Sequence, residues 1–367
     1  MSKVSISNVW KIYGGTVVAV REASFTCEDG EFLAIVGPSG SGKSSMLRMI
    51  AGLEEITRGE ILFDGKVVNK LGPRERNIAL AFESYALYPL LTVYENIAFP
   101  LRARGLSKPE VDKKVRTIAE TLDLTSILKV KPSSLSGGHA QRVSVARALI
   151  REPNVTLLDE PISHMDQRVR VEMRARIRRL HDELKITTIY VTHDQGEAVA
   201  LCDRLVVMNF AEVQQVGTVD EVWNRPANKF VANFIGEPQI NFINGKIETP
   251  QAVSIPTKEG KATFEFTGKV DQKYVGSEVA IGVRPQQIEL SPGKEEKAPI
   301  PGSVELIEFQ GDEAILTVKL ENLDNSEIKI VVPGERMSPV GETVWPEFRP
   351  EIIRLFEKET SLPVKRS

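Results

Sequence analysis

Eight residues, Gly37-Pro38-Ser39-Gly40-Ser41-Gly42-Lys43-Ser44, carry the densest chemistry in the chain. They read G-x-x-x-x-G-K-[ST], the spacing of a phosphate-binding P-loop. Glycines let the backbone curl until successive N–H groups point at phosphate oxygens. A helix beginning at the loop adds the positive end of its dipole. In such a loop Lys43 reaches the β- and γ-phosphates of a nucleoside triphosphate, the Ser44 hydroxyl ligates Mg²⁺, and Ser45 lies in the same first turn. Hydrolysis also needs acid groups opposite the loop. Val155-Thr-Leu-Leu-Asp159-Glu160 supplies two at the end of a mostly apolar run. Asp159 suits support of Mg²⁺, and Glu160 suits deprotonation of an attacking water.

The elements that must hold these groups are legible as patterns. Glu31–Val36 is a short apolar run suited to a buried strand, and Met46, Leu47 and Ile50 recur at helical spacing before Gly52. Val4 and Ile6 alternate with serines. Ile61–Val68 predicts a hairpin turning at Asp64-Gly65. Ile78–Phe82, Val155–Leu158 and Thr187–Val191 predict core strands. Thr92 with Glu95, and Ser107 with Glu110, predict capping boxes. A long helix is expected over 167–184. Beyond Gly236-Glu-Pro238 helical periodicity fades. Ala262, Phe264 and Phe266 alternate with polar residues, as do Leu316, Val318 and Leu320. These short strands predict a second, β-rich domain, a small barrel.

Composition bounds the rest. The 367 residues are 41% hydrophobic, enough for two or three domain cores. A net charge of −3 gives no general attraction to nucleic acid or anionic lipid. The arginines between 168 and 179 have Glu172, Asp182 and Glu183 as acidic neighbours, which reads as a solvated, salt-bridged helix face and not a nucleic-acid surface. Cys27 and Cys202 have neither metal nor disulfide spacing and read as reduced thiols. No leader-like segment opens the sequence and no window approaches the roughly 20 apolar residues of a spanning helix. The expected location is cytoplasmic, with any membrane reached through a partner.

Between the two acid-and-phosphate motifs lies Leu135-Ser136-Gly137-Gly138-His139, followed by Gln141-Arg142. Here the chain resembles the ATP-binding-cassette (ABC) ATPases, whose signature is LSGG, most often with a following Gln. The resemblance implies an α/β P-loop NTPase domain over 1–236, with a helical subdomain at about 84–150, and a small all-β barrel-like regulatory domain over 237–367. It implies ATP as substrate, Mg²⁺ as cofactor, and a head-to-tail dimer in which Ser136, Gly137 and Gly138 face the nucleotide of a second chain, identical or related. Tyr13 matches the aromatic that stacks on adenine, His193 the switch histidine that senses the γ-phosphate, and Asp166 the D-loop aspartate. Glu83 stands where the family usually has a Gln that ligates Mg²⁺; His139 replaces the signature Gln, and His164-Met165 the usual Asn-Leu.

Tyr85–Leu101 and Arg225–Gly236 are similar to the carbohydrate-importer branch, which includes the maltose and glycerol-3-phosphate transporter ATPases, and the segment with Gly282-Val-Arg-Pro285 is similar to its TOBE domain. That implies two permease subunits as partners, a solute-binding protein indirectly, and a place on the cytoplasmic face of the membrane. An importer of polyamines or inorganic ions fits the same tail. Glu83 also leaves room for a low-turnover partner of a second ABC ATPase. A soluble ABC protein of translation or repair would carry two cassettes or a coiled-coil insertion, and neither pattern is present.

Overall fold

The structure, a computed structural model, describes residues 2–365 except 82–86, 152, 164, 259, 292, 294–297, 322, 324–325 and 359. The chain divides into two compact units, Met1–Glu221 and Val222–Ser367. The boundary expected at Gly236 falls beyond this division.

The first unit opens with β1 (Val4–Tyr13) and β2 (Val17–Cys27), then β3 (Phe32–Val36), α1 (Lys43–Ala51), β4 (Arg58–Phe63), β5 (Lys66–Val67) and β6 (Ile78–Ala81). The helices α2 (Val93–Ala103), α3 (Lys108–Thr121) and α4 (Gly137–Leu149) follow. The unit then alternates β7 (Val155–Asp159), α5 (Gln167–Leu184), β8 (Thr187–Thr192), α6 (Gln195–Leu201), β9 (Arg204–Asn209) and β10 (Glu212–Thr218). Two sheets result, ordered β2-β1-β4-β5 and β10-β9-β3-β8-β7-β6. The second is parallel from β9 to β6. Its central strands are buried on both faces, and the residues of β3 are without solvent exposure. That is why they read as continuous apolar runs and not as alternations. One core joins α1 to both sheets, and a second joins α2, α3, α4 and α5 to the other face of the parallel sheet.

Local signals behave as their chemistry requires. The hairpin turns at Asp64 and Gly65, both at positive φ (50° and 75°), and Phe63 pairs with Lys66. Both capping boxes form: the Thr92 Oγ1 accepts from the Glu95 N–H while the Glu95 carboxylate accepts from the Thr92 N–H, and Ser107 and Glu110 do the same. Gly52 ends α1 in the left-handed region and returns its N–H to Arg48 and Met49. Most arginines of α5 find partners within the chain: Arg168 pairs with Glu172, Arg170 with Asp194, and Arg178 with Asp182 and Asp203.

The helix α7 (Val219–Asn224) straddles the division between the units. Among its described residues the second unit then contains α8 (Lys229–Phe234) and ten strands: β11 (Asn241–Thr249), β12 (Ala252–Thr257), β13 (Gly260–Glu265), β14 (Glu278–Val283), β15 (Glu289–Ser291), β16 (Gly302–Phe309), β17 (Glu313–Leu320), β18 (Glu327–Pro333), β19 (Thr343–Glu347) and β20 (Arg354–Glu357). They pair as two five-stranded sheets, β13-β12-β11-β14-β20 and β15-β19-β16-β17-β18, over one shared apolar core. Arg284, just past β14, is buried. It donates to the carbonyls of Trp223 (2.8 Å) and Ile235 (2.6 Å), and its guanidinium lies 3.8 Å from the Trp223 ring centre. Burial lowers its pKa to about 10. Gly236, at φ 127°, passes so close that a Cβ would sit 2.7 Å from the Arg284 Nη1. The Gly-Val-Arg-Pro segment is thus a clamp on the residues that precede the sheets.

Candidate functional site: a phosphate loop facing an acidic strand end

The loop from Gly37 to Gly42 joins the C-terminal end of β3 to the N-terminus of α1, where backbone N–H groups lack helical partners. Glycine is required at two places. A Cβ on Gly37 would strike the Met208 carbonyl, and Gly42, at φ 103°, would strike that of Ala19. At Gly40, φ 78°, nothing lies within 4 Å of an added Cβ, so the tip of the loop is open. Ser39 is exposed, while Ser41 is buried and its hydroxyl makes no hydrogen bond among the described residues. Ser44 and Ser45 are half-buried in the first turn. Lys43 is 6% exposed and its ammonium donates to the carbonyls of Gly37 (2.8 Å) and Pro38 (2.9 Å). Burial lowers its pKa, and the nearby Glu160 and Asp159 carboxylates work against that. Two close-approach glycines, an open tip, an unpaired buried hydroxyl and a lysine facing two carboxylates fit a polyphosphate. Serine hydroxyl and carboxylate oxygens also suit Mg²⁺.

Asp159 ends β7, and its register partner is Val191 on β8. Glu160 follows with φ 46°, a conformation that costs a side-chain-bearing residue about 1–3 kcal/mol. The strained peptide is held on both sides. Its N–H donates to the Val191 carbonyl (2.9 Å), and its own carbonyl accepts from the Gln141 Nε2 (3.0 Å) and the Ser163 hydroxyl (3.0 Å). The Glu160 carboxylate then meets the His193 Nδ1 at 2.9 Å. His193 follows β8 directly, and Asp194 beside it caps α6 through the Glu197 N–H. Parallel pairing of β8 with β7 on one side and β3 on the other therefore brings Asp159, Glu160, His193 and Lys43 together.

Tyr13 ends β1 and is 37% exposed. Its hydroxyl donates to Glu54 and lies 3.2 Å from the Ser45 Oγ. Lys11 sits over one face of the ring, 4.7 Å from its centre, and also pairs with Glu54. Burial and the Glu54 carboxylate raise the Tyr13 pKa. Sequence reasoning gave no role to Lys11 or Glu54. The signal for Lys11 was its i, i+2 spacing from Tyr13, which puts both on one face of a strand.

Ser136 caps α4: its Oγ accepts from the His139 N–H and lies 2.9 Å from the His139 Nδ1. Gly137 and Gly138 form the first turn. Asp166 caps α5 through the Val169 N–H. No hydrogen bond or ion pair among the described residues joins Ser136, Gly137, Gly138 or Asp166 to the phosphate loop. Glu83 and His164 lie outside the described residues. Burial and Arg142 lower the His139 pKa, and Asp123 opposes them. The folded value is thus below the unfolded one of about 6.5, so this group costs stability as pH falls through that range. His139→Gln is expected to lose less melting temperature than the parent between neutral pH and pH about 5. Parallel declines in the two proteins would remove the contribution.

A family profile described as ABC transporter matches residues 20–163, and one described as TOBE domain matches residues 281–356. The trehalose/maltose import ATP-binding protein MalK of Thermococcus litoralis is 45% identical over 333 residues, 87% of this chain and 89% of its own. The sn-glycerol-3-phosphate import ATP-binding protein UgpC of Cupriavidus necator is 47% identical over 294 residues, 79% of this chain and 80% of its own. Among solved structures, the dimeric bacterial ABC transporter cassette MJ0796 superposes with a TM-score of 0.55 at 30% identity, covering 59% of this chain and 98% of that one. With the phosphate loop, the acidic strand end and the LSGG helix start all in place, the chain belongs to the ATP-binding proteins of ABC transporters, a family of ATPases, and carries a TOBE domain.

Proposed function

We propose that this chain hydrolyses ATP as the energy-coupling subunit of a binding-protein-dependent importer for a sugar, polyol or glycerol-type compound. The observation that carries the chemistry is the Glu160–His193 pair beside the buried Lys43. The named functions of the relatives support the substrate class. Lys43 and the N–H groups of residues 39–45 hold the phosphates, and Tyr13 stacks on adenine with the ring face that Lys11 leaves uncovered. Glu160 takes a proton from the attacking water. His193, on the Glu160 carboxylate, sits where it reads the γ-phosphate. Mg²⁺, when held by Ser44, Asp159 and Glu83, supplies charge neutralisation to the phosphate oxygens.

Ser136, Gly137, Gly138 and Asp166 serve the opposite chain of a head-to-tail pair, identical or related, which accords with the absence, among the described residues, of any hydrogen bond or ion pair from them to their own phosphate loop. Two permease subunits dock on the helical side. A cavity of about 740 Å³ there is lined by Tyr88, Phe99, Arg104 and Arg147. That partnership places the chain on the cytoplasmic face of the membrane. The nucleotide-binding domain is taken to run to about Gly236, and the regulatory domain from there.

Ser136→Arg tests the composite site. The variant is expected to keep MgATP affinity and lose turnover, because the new side chain blocks the other chain's nucleotide. Hydrolysis at the parental rate would overturn the head-to-tail reading. Cells lacking the chain should lose uptake of one sugar or polyol; unchanged uptake across that class would remove the transport assignment.

A further inference from the structure

We propose that Gln141 is a positioning residue that ties the LSGG helix to the backbone of Glu160, and so makes the base of one nucleotide site depend on signature engagement at the other. The inference rests on the composite site proposed above.

Gln141 is 1% exposed, on the inner face of α4. Its Nε2 donates to the Glu160 carbonyl at 3.0 Å, while its Oε1 is buried and makes no hydrogen bond among the described residues. An unpaired buried acceptor of this kind costs about 1–3 kcal/mol, and a leucine would avoid it. An amide kept at that cost calls for a reason beyond packing. The donated bond supplies one. Glu160 stands at φ 46°, and the direction of its carboxylate follows from how its peptide is held. Among the described residues, Ser163 on the same loop and Gln141 are the donors to that carbonyl. Gln141 is the one that comes from another element.

That element has Ser136 at its N-cap. Gln141 lies five helical steps beyond Ser136, a rigid span of roughly 7.5 Å. The first turn of α4 also meets the next part of the same loop: a Cβ on Gly138 would touch the Met165 side chain at 3.8 Å. Met165 adjoins Asp166, and its carbonyl accepts from Arg170, which also pairs with Asp194 beside His193. A shift of α4 is therefore passed to Glu160 by one hydrogen bond and to the His193 loop by packing and Arg170. In a head-to-tail pair Ser136 faces the partner's nucleotide and Glu160 its own. Among the described residues, the Gln141 bond is a direct link between the two sites within one chain.

The test uses the full chain with Gln141→Leu and Gln141→Glu. Gln141→Leu keeps an apolar volume, drops the donor and removes the unpaired acceptor. Its kcat is expected to fall about 10- to 100-fold, the scale of a small misplacement of a catalytic group. MgATP affinity and melting temperature should hold, and cooperativity in ATP should be lost. In Gln141→Glu an ionised carboxylate only accepts, whereas a protonated one donates to the carbonyl. Its kcat should therefore rise as pH falls, a dependence absent from Gln141→Leu. Parental kcat and cooperativity in Gln141→Leu would overturn the proposal. So would a joint fall of kcat, affinity and melting temperature, which marks a structural role alone. If Glu160→Gln is inactive while Gln141→Leu is parental, only this inference fails; if Glu160→Gln is itself active, the reading of the site fails first.

Discussion

Glu160→Gln is expected to keep ATP affinity and lose roughly two to four orders of magnitude in turnover, the range supplied by a positioned general base. The amide nearly matches the carboxylate in shape, so the left-handed peptide, its bonds to Val191, Gln141 and Ser163, and the contact with His193 can all persist. What disappears is a group able to take a proton from water. With the chemical step stopped and binding intact, the ATP-bound closed dimer should accumulate, visible by sedimentation. A variant that hydrolyses ATP at a near-parental rate would remove Glu160 from the role of base.

Lys43→Ala should lower both nucleotide affinity and turnover. Hydrogen bonds to charged groups contribute about 1.5–3 kcal/mol, so affinity should drop roughly one to two orders of magnitude. The deletion also removes a cation that faces Asp159 and Glu160, so a polyphosphate then meets more of their negative charge. The two variants separate two functions: one loses chemistry with binding kept, the other loses both. Unchanged affinity of Lys43→Ala in a direct titration would mean that the phosphates sit elsewhere.

Much of the fold was legible because its signals are local. The Asp64-Gly65 turn, the capping boxes at Thr92 and Ser107, and the helix over 167–184 depend on residues within a few positions of one another. The barrel-like tail announced itself by alternation, although its division into two five-stranded sheets did not. The unit division at Glu221 was less legible, because the residues after it are held by Arg284, which lies far along the chain. His139 was visible as a departure from the family pattern, but its bond to Ser136 needed the geometry of the α4 start. Glu83, the least ordinary residue of the motif set, lies outside the described residues.

The sequence by itself determined the chemical inventory: a lysine and serines on a glycine loop, two acids at a strand end, a histidine after another strand, and a Ser-Gly-Gly helix start. Each is written in a handful of adjacent residues, since backbone curvature and helix capping are set by nearest neighbours. Only the tertiary structure decided which of these meet. The parallel sheet runs β9-β3-β8-β7-β6, an order unrelated to that of the chain. The register that sets Asp159 against Val191, and so Glu160 against His193, is a property of β7 and β8 as a pair and of neither strand alone. The left-handed turn at Glu160 and the Gln141 bond that holds it had no local signature. They exist because α4 packs against the end of β7, and that packing joins residues nineteen positions apart.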